Sequence, residues 1–231
     1  MSAIVADGHH LAPAVLYLVR HGESTGNAER RFNAYDTPLT PAGLAQAQRL
    51  AERLAAEGPF HALYTSDLTR TMQTAAVIGA RLGLQPVPLA ALRELDTGDW
   101  KGTRYADLEA RDPGALQRWI AAGGVERLPG AAGESVCDVR ARVTACLEEL
   151  AARHAGERVI AVSHGWALGI LLACVQGLDP HETFRTQQLR LGNTAVSVVE
   201  AHPGGPRRCL LLGCTAHLDP APSRPSAASP P

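Results

Sequence analysis

Val15-Leu16-Tyr17-Leu18-Val19-Arg20-His21-Gly22 decides how the rest of the chain reads. Its apolar run, too short for a helix, marks a strand covered on both faces, as in the interior of a parallel sheet. The run stops on a cation, a histidine and a glycine. Two later stretches repeat the design. Ala62-Leu63-Tyr64-Thr65 leads into Ser66 and on to Arg70, and Val159-Ile160-Ala161-Val162 leads into Ser163-His164-Gly165.

Helical signals lie between these strands. Thr40-Pro41 reads as an N-cap with proline in the first turn, and Leu44, Ala47, Leu50, Ala51 and Leu54 follow at helical spacing until Gly58. A second helix opens at Asp67 or Thr69 and runs to about Leu82, ahead of a short strand near residues 86–89. Ser135 with Asp138 forms a capping box for a helix along Val136, Val139, Val143, Leu147 and Leu150. A further helix covers residues 167–175, and Thr194, Val196 and Val198 alternate as a late strand before an apolar 209–212. The alternation predicts an α/β fold, a three-layer α/β/α sandwich with a mainly parallel central sheet. Residues 98–134, with seven glycines and the aromatics Trp100, Tyr105 and Trp119, read as a small helical and loop cap outside the core. The expected division is an N-terminal extension over 1–14, one domain over 15–215 and a disordered Pro/Ser/Ala tail over 216–231.

At 231 residues with 45% hydrophobic side chains, the chain is long and apolar enough to bury a sizeable core. A net charge of -1 gives no global pull toward nucleic acid or an anionic membrane, so any anionic ligand must be caught by a local cluster. No apolar run reaches the length of a membrane span, and the first residues lack the order of a signal peptide. Five cysteines without a C-x-x-C pair fit a reducing, cytoplasmic setting better than a disulfide framework. Cys209 and Cys214 have no His/Cys cluster nearby, and no metal site is expected.

Each cation has an ordinary reading by itself: a surface pair, a turn, a solvated side chain. Jointly they do not. If the three strands are parallel neighbours, Arg20, His21, Arg70 and His164 meet beyond their carboxyl ends, where ligands of α/β sheets bind. A cluster of cations needs an anion, and a phosphoryl group matches arginine geometry.

The motifs are also familiar. Leu18-Val19-Arg20-His21-Gly22-Glu23-Ser24, with Asn27 and then Pro38-Leu39-Thr40, resembles the signature of the histidine phosphatase superfamily, whose fold is phosphoglycerate mutase-like. Ser66-Asp67-Leu68-Thr69-Arg70-Thr71 resembles its second motif. Leu92-Arg93-Glu94-Leu95 with Gly98-Asp99-Trp100-Lys101-Gly102 resembles its third, and Val162-Ser163-His164-Gly165 its fourth. Gly133-Glu134-Ser135 and Gly192-Asn193-Thr194 are weaker landmarks.

The resemblance implies a metal-independent phosphomonoester hydrolase that needs no cofactor and acts on a small phosphorylated metabolite through a phosphohistidine. His21 would attack phosphorus. Arg20, Arg70 and His164 would hold the non-bridging oxygens, and Glu94 would serve as general acid, then base. Substrate contacts are expected from Arg20, Glu23, Ser24, Asn27, Arg70, His164 and Gly165, with backbone amides after His21 adding donors.

Cofactor-dependent mutases of the superfamily carry a different third motif, and acid phosphatases have Arg where this chain has Glu23. The hydrolase branch is therefore favoured over a phosphoglycerate mutase-type phosphotransferase, and over a non-catalytic phospho-ligand binder that would lack a chemical residue. Trp166 reads either as helix packing or as a bulky pocket wall. Arg30, Arg31, Lys101, Arg104, Arg118 and Arg127 read either as a second anion site or as solvated surface. A small phosphorylated substrate is the expected partner, with neither nucleic acid nor membrane, and a homodimer is compatible with the chain.

Overall fold

The computed structural model describes residues 12–219. In chain order the elements are β1 (Ala14–Arg20), α1 (Thr25–Ala28), α2 (Pro41–Glu57), β2 (Ala62–Thr65), α3 (Thr69–Leu82) and β3 (Pro86–Pro88). There follow α4 (Tyr105–Arg111), α5 (Ala115–Ala121), α6 (Val136–Arg153), β4 (Arg158–Ser163) and α7 (Gly165–Val175). The chain closes with α8 (Pro180–Thr186), β5 (Val196–Ala201) and β6 (Arg207–Cys214). The six strands form one sheet in the order β3-β2-β4-β1-β5-β6. β3, β2, β4 and β1 pair in parallel, while β5 pairs antiparallel with both β1 and β6.

The uniform apolar character of β1 follows from its position. Leu16 and Leu18 face one core with α6 and α7, whereas Tyr17 and Val19 face a second core with α2 and α3. Both faces of the strand are dry, so no polar alternation is allowed. Truncating Leu16 or Leu18, each almost wholly buried, to alanine would cost about 2–5 kcal/mol.

Three expectations need correction. The 98–134 region is not outside the core: Trp100, Leu108, Ala115 and Leu128 are buried in the same cluster as Leu16 and Leu18. Its helices α4 and α5 are short and have no side-chain cap, and they hold their place by this packing rather than by local propensity. Ala14, assigned to the N-terminal extension, belongs to β1, and Ala216–Leu218, assigned to the tail, form a 3₁₀ turn. The remainder of that extension up to residue 11, and the tail from residue 220, lie outside the described residues.

Candidate active site

Strand register assembles the site. Val19 lies opposite Val162, Arg20 opposite Ser163 and Thr65 opposite Val162, so β1, β2 and β4 end at one level. The ladder continues one step past the strands, with the His21 amide donating to the Ser163 carbonyl (3.0 Å) and the Ser66 amide to the Val162 carbonyl (2.9 Å). The loop after His21 then lies on the first turn of α2. A Cβ on Gly22 would meet the Gly43 carbonyl oxygen at 2.4 Å, so neither a larger residue nor a looser path fits.

His21 is 2% exposed, and its Nδ1 sits 2.6 Å from the Gly22 carbonyl oxygen. A carbonyl can only accept, so Nδ1 carries the ring proton and Nε2 keeps its lone pair. Burial, then the Arg70 and Arg20 guanidinium groups, hold the His21 pKa well below the ordinary histidine value, which keeps the imidazole neutral. Burial, then Arg70, His21, Arg142 and Arg20, depresses His164 in the same direction. The two rings stand 5.2 Å apart. His164 Nε2 is 2.9 Å from the Ser66 hydroxyl, and its buried Nδ1 has no partner.

Arg20 donates to the Leu191 carbonyl and Arg70 to the Ala34 carbonyl (3.0 Å), yet the Nε of each is buried and unpaired. Burial draws Arg70 down to about 10 and lowers Arg20 as well. Two desolvated guanidinium groups and one unpaired imidazole nitrogen converge where charge is costly. An anion would relieve them.

Glu94 lies close enough to this cluster for its carboxylate to oppose the lowering of both arginines. Its Oε1 accepts from the amides of Leu95 (3.0 Å) and Ala167 (2.9 Å), while Oε2 accepts only from Trp166 (3.2 Å). The carboxyl group thus caps α7, and Oε2 is the oxygen with spare capacity. Asn27 Oδ1 accepts from the Ser24 amide and from Asn193 Nδ2, both at 3.2 Å, so its own amide nitrogen is the donor left for a ligand.

Arg20, His21, Glu23, Asn27, Arg70, Glu94 and Gly165 line one cavity of about 870 Å³. His164, expected to touch substrate, is fully buried and is not among the residues that line it. Ser24, expected to touch substrate, does not reach the cavity: it is buried as the N-cap of α1, and its hydroxyl donates to Asn33 (2.8 Å). Nor are the backbone amides after His21 free. Those of Gly22, Glu23 and Ser24 go to Thr74, Gln46 and Asn27. Glu23 turns one carboxylate oxygen to the Thr40 hydroxyl (2.7 Å). Of the six basic residues left open between surface and second anion site, Arg30 and Lys101 line the cavity. Arg31, Arg118 and Arg127 pair with Glu29, Asp112 and Asp138. Trp166 serves both its readings, lining the cavity while packing on Phe184 and Trp119.

Two residues escaped sequence reasoning. Arg142 on α6 donates to the carbonyls of Ala91, Arg93 and Glu94 and pairs with Glu134, fixing the backbone that carries Glu94. Asn193 donates to the His21 carbonyl (3.2 Å) as well as to Asn27. Thr194 beside it has φ +54, an unusual conformation for a β-branched residue, and gives its amide to the same carbonyl. Gly133-Glu134-Ser135 and Gly192-Asn193-Thr194 were the visible signals, without a role attached.

A model of the histidine phosphatase superfamily (branch 1) matches residues 16–214. The chain belongs to this superfamily. Among histidine phosphatases and their relatives, it is 38% identical over 186 residues to a probable phosphoglycerate mutase, GpmB, of Yersinia enterocolitica, covering 80% of this chain and 84% of that one. The solved structure of YhfR from Bacillus stearothermophilus superposes with a TM-score of 0.81 at 31% identity, over 89% of this chain and all of the other (100%). A mycobacterial glucosyl-3-phosphoglycerate phosphatase solved with VO3 superposes at TM-score 0.75 and 29% identity, over 86% and 98% of the two chains. The α/β fold with its mostly parallel sheet is the fold of these histidine phosphatase neighbours.

Proposed function

We propose that this histidine phosphatase hydrolyses phosphate monoesters through a phosphohistidine on His21 Nε2, without a metal ion. The observation that carries the reading is the neutral His21, its proton held on Nδ1 by Gly22, beside two buried arginines whose Nε groups lack partners.

The chemistry then balances in two steps. The Nε2 lone pair attacks phosphorus as the P–O ester bond breaks, and Glu94 gives its proton to the departing oxygen, releasing an alcohol. Water next attacks the phosphohistidine, giving its proton to the Glu94 carboxylate as the P–N bond breaks and orthophosphate leaves. Nδ1 keeps its proton throughout. Arg20, Arg70, His164 Nδ1 and Asn27 Nδ2 face the charge spread over the non-bridging oxygens. Protein cations do what a divalent metal does elsewhere.

A mutase reading has one observation in its favour, the naming of the Yersinia relative. It asks that the phosphoryl group on His21 be returned to substrate rather than to water. Steady-state hydrolysis of p-nitrophenyl phosphate in EDTA decides between them. Turnover in wild type that vanishes in His21→Ala is the expected result. Dependence on added Mg²⁺ would overturn the metal-free mechanism. Transfer between phosphoglycerates without orthophosphate release would establish the mutase.

A further inference from the structure

The stretch after β6, expected to be tail, reaches the loop that holds His21. Its 3₁₀ turn, Ala216–Leu218, is pinned by α2, from which Arg49 donates to the Leu218 carbonyl (3.1 Å). Arg53, one turn further along α2, donates to the Cys214 carbonyl (3.5 Å) and to its Sγ (3.3 Å). The first turn of the same helix carries Gly43, which lies against Gly22. The 3₁₀ turn and the loop after His21 therefore rest on one helix.

From that turn His217 meets Thr194, its Nε2 2.9 Å from the Thr194 hydroxyl. The hydroxyl itself donates to the Asn193 carbonyl (2.8 Å). Its one proton is thus committed, so Nε2 of His217 is the donor. His217 Nδ1, buried and without a partner among the described residues, then keeps only a lone pair. The other tautomer would bury an unmet N–H. Burial first, then Arg53 and Arg49, draw the His217 pKa down to about 4 against the carboxylates of Glu57 and Asp219, so the ring is neutral. What His217 steadies is a strained residue. Thr194 has φ +54, which a β-branched side chain keeps only where its surroundings hold it. The peptide between Asn193 and Thr194 carries the amide that reaches the His21 carbonyl (3.2 Å), and the Asn193 side chain reaches the same oxygen (3.2 Å). Turning that peptide would disturb both bonds together.

We propose that His217 is a positioning residue for His21. By donating to the Thr194 hydroxyl it holds the Asn193–Thr194 peptide, and through that peptide the His21 carbonyl, so that Nε2 of His21 is aimed at phosphorus. This deepens the phosphohistidine reading and rests on it. Neither His217 nor Thr194 lines the cavity, so the effect travels through the loop and not through substrate.

The test compares wild type with His217→Phe, which keeps a ring and removes the donor, and with His217→Gln, whose amide nitrogen replaces it. Turnover of p-nitrophenyl phosphate gives kcat and KM, and two oxyanions report on binding. Orthophosphate needs only the cations, whereas orthovanadate binds at full strength when Nε2 of His21 is placed to enter as a fifth ligand to vanadium. His217→Phe is expected to lower kcat about five- to tenfold with KM within about twofold of wild type, and to weaken vanadate by a similar factor while orthophosphate binds unchanged. His217→Gln should recover most of the loss. Thr194→Val removes the acceptor from the other end of the bond and should reproduce the defect, after which His217→Phe costs nothing further. An unchanged kcat in His217→Phe, equal weakening of both oxyanions, no recovery with glutamine, or additive losses with Thr194→Val would each overturn the proposal. If wild type turns over no ester, the hydrolase reading falls, and the ratio of vanadate to orthophosphate binding in the same variants decides the role of His217 by itself.

Discussion

His21, the proposed nucleophile, is held by its backbone as much as by its ring. The His21 carbonyl receives both the Thr194 amide and the Asn193 side chain, while Asn193 also turns Asn27 so that its amide nitrogen faces the cavity. Asn193→Ala removes both side-chain bonds at once, each worth roughly 1 kcal/mol, and is expected to lower kcat/KM about tenfold or more while lowering the thermal midpoint by only about 4–8 °C. Asn193→Asp keeps the shape and loses the donor, so it should be no better. Recovery of activity in the aspartate variant, read by steady-state kinetics, would remove Asn193 from the positioning of His21. Asn193 was visible in the sequence only as part of a weak landmark, because its partners lie 166 and 172 positions away and no local spacing encodes them. Ser24 is the converse case. Its motif is legible, yet its hydroxyl is used to cap α1 and hold Asn33, a distinction that only the path of the loop reveals.

At the scale of elements, strands buried on both faces and helices opened by Thr40 and Ser135 were readable because their causes are local: apolar runs and side-chain caps. The segment from residue 98 to 134 was not, since its short helices have no side-chain caps and owe their burial to the sheet's own core. The capping box of α6 has a consequence at the active site. It begins the helix from which Arg142 reaches three carbonyls, Glu94's among them, and the Glu134 carboxylate. Arg142→Met keeps the reach and removes every donor. Glu94, the proposed general acid, should then be misplaced, so hydrolysis of alkyl phosphates falls further than that of p-nitrophenyl phosphate, whose leaving group needs little protonation. Slowing of both by one factor would assign Arg142 to stability alone.

For the whole molecule, the two buried imidazoles set the response to acid. Burial, with Arg70 next for both, depresses the pKa of His21 and His164 in the folded state, whereas in the unfolded chain each titrates near 6.5. Below pH 6.5 the unfolded chain therefore binds protons that the native one refuses. The stability these groups contribute is fully present above that pH and is lost as pH falls toward their folded values, by up to about 1.4 kcal/mol per unit for each histidine. Thermal unfolding from pH 7 to pH 5 should follow a falling midpoint, shallower in a His164→Asn variant. An equal slope in that variant would remove His164 from the account. Orthophosphate should raise the midpoint at either pH by mass action on the native state.

The bond from Asn193 to the His21 carbonyl spans 172 residues. On a ribosome adding about 5–20 residues per second, the histidine emerges about ten to thirty seconds before the loop that locks it in place. A growing chain thus carries His21 long before the contact that orients it, which forms only once the loop ahead of β5 is in place. The orientation of this imidazole is thus settled late, by a segment far from it in sequence.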